Sequence, residues 1–186
     1  MKTLSDIIQE LNLVTDKNSL HSYCDYFYED RFASFREQPV DILEIGIDQG
    51  GSLILWANYF TNSLTNILGL DLEFRGNCQA DCGQYPNITI QLADAYSLTT
   101  ANKFGSFDII IDDGPHTLSS QIAAIDLYLP KLKPGGIFVI EDIPDEAWIS
   151  ELTQHVPAEL QQYIEVVDLR KIKGRLDDLM FVVKRS

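Results

Sequence analysis

The chain predicts a doubly wound α/β fold of Rossmann-like type: a mostly parallel seven-stranded sheet with an antiparallel terminal strand and helices on both faces. Three observations carry that expectation. Residues 107–111 (FDIII) and 137–140 (IFVI) are apolar runs of strand type, broken only at Asp108, the signature of strands buried on both faces. Between them lie residues 117–132, a stretch of helical length, so the unit reads strand–helix–strand with a right-handed crossover. Finally, both runs end in acids, Asp112 and Asp113 in one and Glu141 and Asp142 in the other. If these strands are neighbours, their carboxyl ends lie roughly 5 Å apart, on the edge where open α/β sheets bind ligands.

The remaining elements follow in order. Residues 3–13 place Leu4, Ile7, Ile8 and Leu11 on one helical face, with Thr3 or Ser5 near the cap. The segment 14–32 is polar at first and then sets Tyr23, Tyr26 and Phe27 at helical spacing. It reads either as a cap packing aromatics on the core or as a lid whose Thr15, Asp16, Lys17, His21 and Tyr23 reach over a ligand. Residues 1–38 thus form an N-terminal cap or lid segment on a single domain whose α/β core is 39–186. Pro39 ends the first part, and 41–45 (DILEI) is a short buried strand. A glycine-containing turn, GIDQGGS, then leads into a helix from about Ser52. Strands at 66–70 and 88–92 end near Asp71 and Asp94, with a polar excursion at 77–84 between them. KPGG at 133–136 reads as a turn, 145–152 as a helix, and 161–169 with 179–183 as a closing strand pair.

Composition narrows the partners. A net charge of −14 disfavours nucleic acid and anionic membranes, which demand a basic face. No run reaches the ~18 apolar residues of a membrane helix, and residues 1–10 lack the apolar centre of a secretory signal. The three cysteines, Cys24, Cys78 and Cys82, are expected as free thiols in a cytoplasmic protein. The expected partner is a small hydroxylated molecule, and self-association into a homo-oligomer stays open.

The turn pattern E-x-G-x-D-x-G-G at 44–51 is a poor match to the dinucleotide glycine fingerprint, and no P-loop or basic cluster accompanies it. Acids near the ends of the first three strands, Glu44, Asp71 and Asp94, suit a nucleoside without phosphates. S-adenosylmethionine is such a ligand: its ribose seeks carboxylate acceptors, and its sulfonium tolerates an acidic pocket. It is expected over the turn formed by Gly46, Gly50 and Ser52, with Asp71 on the ribose and Asp112 close by. Asp113, Glu141 and Asp142 are hard oxygen donors suited to Mg²⁺ or a similar divalent ion. Unpaired, they would repel one another, and no Lys or Arg stands near them in sequence. His116, three residues after Asp113, is the candidate general base.

EIGIDQGGS, GLDLE, FDIIIDDGPH and LKPGGIFVIEDI resemble class I S-adenosylmethionine-dependent methyltransferases. TDK, H-S-Y, IDDGPH and IEDI are together similar to the metal-dependent sugar O-methyltransferases of macrolide and polyketide tailoring (mycinamicin and tylosin type) and to the cephalosporin-hydroxylase-like group. The resemblance covers residues 14–145 and departs at Pro115, where the pattern has a small polar residue. It implies Asp113, Glu141 and Asp142 as Mg²⁺ ligands, His116 as base, Glu44, Gly46 and Asp71 at the cofactor and Asp94 near its adenine. The function it implies is O-methylation of a sugar or vicinal diol in natural-product biosynthesis. The alternatives are a protein of this fold that binds ligand or metal without methyl transfer, and another metal-dependent tailoring enzyme.

Overall fold

The computed structural model describes residues 1–185. The chain begins with α1 (Leu4–Leu11), closed by a Thr3 capping box that satisfies free amides at both sides of the cap. A short α2 (Asp16–Ser19) follows, capped by Thr15. A π-helical turn at Cys24–Tyr28 then runs directly into α3 (Glu29–Phe32). The α/β core comprises β1 (Asp41–Ile45), α4 (Gly51–Tyr59), β2 (Asn66–Asp71), α5 (Cys78–Cys82), β3 (Ile88–Leu92), α6 (Leu98–Ala101), β4 (Phe107–Asp112), α7 (Leu118–Tyr128), β5 (Leu132–Ile140), α8 (Trp148–His155), β6 (Ile164–Asp168), α9 (Arg170–Lys173) and β7 (Leu179–Lys184).

The seven strands stand in the order β3-β2-β1-β4-β5-β7-β6. All are parallel except β7, which runs antiparallel to both neighbours. The antiparallel strand is therefore last in sequence but second from the sheet's edge. Strand order reverses between β1 and β4, the position at which such sheets open a crevice at their carboxyl ends.

Alternation along the strands divides the core in two. Ile42, Ile109, Ile111, Val139 and Val182 face one side, under α1, α4 and the aromatic cap segment. Leu43, Ile45, Ile110, Phe138, Ile140 and Phe181 face the other, under α7 and α8. The same alternation sends Glu44, Asp113 and Glu141 toward the cap and Asp112 toward Tyr96 on the opposite face.

Three local expectations are corrected. KPGG is not a turn between elements: β5 begins at Leu132 and passes through it with an irregularity in its pairing to β4, Gly135 donating its amide to the Arg185 carbonyl. The polar excursion after β2 folds into α5, whose Cys78 and Cys82 are buried. The helix after β5 starts at Trp148 rather than 145, after a loop through Asp145. Of the aromatics at helical spacing, Tyr23 and Phe27 are buried and Tyr26 faces solvent.

Candidate active site

A cavity of about 980 Å³ opens over the carboxyl ends of β1, β2, β3 and β4. Its floor is the β1–α4 turn. Gly46 adopts φ 82°, and a Cβ there would lie 1.9 Å from the Asp113 carbonyl oxygen, so only glycine lets the ends of β1 and β4 approach this closely. Ile47, Asp48, Gln49, Gly51 and Ser52 continue the floor. The Asp71 carboxylate accepts from the Ile47 and Asp48 amides (2.8 and 3.1 Å) and from those of Leu72 and Glu73 (2.7 and 3.4 Å). It ties the turn to the end of β2 while lining the cavity. Asp94, Ala95 and Tyr96 close the far wall, and Leu13 to Asp16 cross the near one.

At one end of this cavity, acids converge on a cation. The Lys17 ammonium, fully buried, lies 2.7 Å from Asp113 Oδ2, 2.5 Å from Glu141 Oε2 and 3.3 Å from Glu44 Oε1. Burial alone would pull its pKa down, but the three carboxylates outweigh this and hold it well above the ordinary lysine value. One ammonium cannot neutralise four acids. Burial, then their mutual repulsion, raises the carboxyls of Glu44, Glu141 and Asp142 above the usual range despite Lys17 and the neighbouring donors. Hydroxyls add further donors: Tyr28 donates to Glu141 and Tyr23 to Asp142.

His116 lies on the cavity wall, half-buried, at a left-handed φ of 50°. Its Nε2 is 3.8 Å from Asp113 Oδ1 and 3.7 Å from Asp142 Oδ2. Neither distance is a hydrogen bond, so neither carboxylate engages Nε2 directly. Ligand atoms of Asp113, His116 and Asp142 all fall within 4.8 Å of one another, close enough to share one ion.

The expected site residues are therefore divided. Gly46, Ser52, Asp71, Asp94, Asp113 and His116 line the cavity together. Glu44 does not: it is buried beneath the turn, accepting from the Trp56 indole at 2.6 Å and facing Lys17. Asp112 lies behind the wall and accepts from the Tyr96 hydroxyl at 2.6 Å; burial pushes its carboxyl up to about 7, although the tyrosine opposes this. Gly50 caps α4 and backs onto the α5 thiols instead of the cavity. Glu141 faces inward, with both oxygens engaged by Lys17 and Tyr28. Of the two readings of the N-terminal segment, the packing cap is observed for Tyr23 and Phe27, which are buried in the core, while Lys17, His21 and Tyr23, named in the lid reading, turn toward the acids. Tyr28 and Tyr96 were not foreseen; the one signal was for Tyr96, a tyrosine two residues after the acid that follows β3.

Comparison with known proteins bears on this arrangement. A family described as methyltransferase domain matches residues 43–143. The 8-demethyl-8-alpha-L-rhamnosyl tetracenomycin-C 2'-O-methyltransferase of Streptomyces olivaceus is 32% identical over 142 residues, covering 72% of this chain and 36% of the relative. Demethylmacrocin O-methyltransferase of Streptomyces fradiae is 33% identical over 138 residues, covering 70% of this chain and 34% of its own length. The matched stretch thus spans about a third of these relatives. A methyltransferase from the mycinamycin biosynthetic pathway, solved with Mg, SAH and mycinamycin VI, superposes on all of this chain and 54% of its own, with a TM-score of 0.75 at 22% identity. That likeness establishes the fold.

Proposed function

The chain belongs to the methyltransferase domain family, and from that premise we infer that it is an S-adenosylmethionine- and Mg²⁺-dependent O-methyltransferase. Its acceptor would be a hydroxyl of a small molecule, a sugar or vicinal diol of a natural product. The relatives named above methylate tetracenomycin-C glycosides and demethylmacrocin. One observation carries the reading: a single cavity joins a nucleoside-sized floor to a wall bearing His116 and Asp113, with Asp142 directly behind. Its volume of about 980 Å³ accommodates a cofactor together with part of an acceptor.

The residues present fit both groups. Gly46, Ser52, Asp71 and Asp94 would hold the cofactor, Asp71 sharing its acceptor capacity between the turn amides and the ribose. Asp113 and Asp142, with Glu141 adjoining, would hold the divalent ion. When bound, these groups would supply an electrophilic methyl carbon and a lowered pKa for the acceptor hydroxyl. The chain's own residues do the rest. His116 accepts the hydroxyl proton at Nε2, and the carboxylates of Asp113 and Asp142 beside it stabilise the imidazolium so formed. The strap at 13–16 narrows the cavity mouth and restricts water.

One observation favours a second reading. Lys17 gives the acid edge a cation of its own, which a ligand-binding protein of this fold could use without metal or methyl transfer. Calorimetry with S-adenosylmethionine and transfer of labelled methyl to vicinal-diol glycosides, each with and without a chelator, separate the two. The expected result is cofactor binding that survives chelation and transfer that does not, with Mg²⁺ restoring it. Absence of cofactor binding, or transfer persisting in the chelator, would sink the reading.

A further inference from the structure

Asp142 is held from the N-terminal segment by two side chains. The Tyr23 hydroxyl donates to Oδ1, and His21 Nε2 stands 3.4 Å from Oδ2. His21 is itself fixed. Its Nδ1 bonds Asp178, a fully buried acid just before β7, and its ring stacks on Tyr23 at 4.7 Å between centroids and 17° between planes. The chain is therefore Asp178–His21–Asp142, buried throughout and ending on the oxygen that also faces His116. Asp142 needs such support. It follows the end of β5, with a left-handed φ of 53° that costs a non-glycine residue of order 1–3 kcal/mol. Freed from its neighbours, the side chain would have no reason to keep Oδ2 turned to the cavity.

We propose that His21 is a positioning residue for the acid centre, oriented by Asp178, and that it presents Asp142 Oδ2 to the divalent ion. The proposal rests on the metal reading given above. A carboxylate behind an imidazole behind a ligand oxygen is the outer support that metal centres use to fix their ligands, and its loss typically weakens metal binding ~10–100-fold. With Nδ1 engaged by Asp178 and Nε2 directed at Asp142 Oδ2, the ring stands behind the ligand oxygen as a buttress.

The test is Mn²⁺ affinity of the 186-residue chain, followed by paramagnetic resonance and calorimetry, with S-adenosylmethionine affinity measured on the same samples. His21→Ala is expected to weaken Mn²⁺ binding ~10–100-fold while cofactor affinity holds. His21→Gln places an amide donor near the Nε2 position and should recover most of the loss. Tyr23→Phe, which removes one hydroxyl and keeps the stacked ring, should weaken Mn²⁺ severalfold and decides the matter should His21→Ala fail to fold. Unchanged Mn²⁺ affinity in the folded variants overturns the proposal. So does a nitrogen coupling to Mn²⁺ that disappears in His21→Ala, which would make His21 a ligand. A wild-type chain that binds cofactor but no Mn²⁺ defeats the metal reading itself, and the proposal with it.

Discussion

Asp112 and His116 stand four residues apart and are asked to do opposite things with a proton. Asp112 is sealed against Tyr96, and its folded-state pKa of about 7 lies above the ordinary aspartate value. The unfolded chain therefore ionises first. Below about pH 4 both states are protonated and nothing is lost; as pH rises toward 7 the folded state falls behind, by up to about 4 kcal/mol for a shift of this size. Asp112→Asn keeps an acceptor for the Tyr96 hydroxyl and removes that penalty. Urea denaturation should show a larger gain for the variant at pH 8 than at pH 5, and equal gains would show the carboxyl is ionised in the fold. His116, on the cavity wall, has no such seal. His116→Ala should lower kcat ~10²–10⁴-fold with cofactor affinity kept; a rate within a few-fold of wild type would assign the proton transfer elsewhere.

At the scale of elements, the strap before α2 and the turn before α4 are mutually fitted. A Cβ on Gly51 would meet the Val14 carbonyl oxygen at 1.8 Å, so Gly51→Ala must push the strap off the turn. Overpacking of this kind costs ~1–3 kcal/mol. The expected outcome is faster protease cleavage around residues 12–16 and weaker S-adenosylmethionine binding; wild-type protection would show that the strap bends without leaving. The sheet was legible from sequence because β2, β4 and β5 announce themselves by largely apolar runs that lead into acids, and β3 begins and ends where its alternating segment does. The cap was half legible: its aromatic spacing was visible, its purpose was not. The acids of β4 and β5 had no cationic neighbour in sequence, which suggested a divalent ion alone. Their structural partner is Lys17, 96 residues before Asp113 and 124 before Glu141. No local pattern joins residues at that separation. What could be read was one side of the pairing, a group of acids without a lysine near them in sequence. Glu44 was misplaced for a related reason: it lies within β1, not after it, and strand alternation turns it under the sheet's cap instead of out to the cavity.

For the molecule as a whole, the acidic balance has a local meaning beyond its sum of −14. Four carboxylates and one ammonium gather at the β1–β4–β5 edge, and an N-terminal segment supplies the donors that keep them together. Those donors impose an order on the molecule's making. Tyr23 must wait for Asp142, 119 residues later, and His21 for Asp178, 157 residues later. At a synthesis rate of ~5–20 residues per second, that interval is roughly six to thirty seconds. During it the cap's Tyr23 and Tyr28 are made before their acid partners just beyond β5, Asp142 and Glu141. Lys17, Tyr23 and Tyr28 thus cannot engage the acid centre until the chain has passed β5, nor can His21 engage Asp178 until it has reached the start of β7.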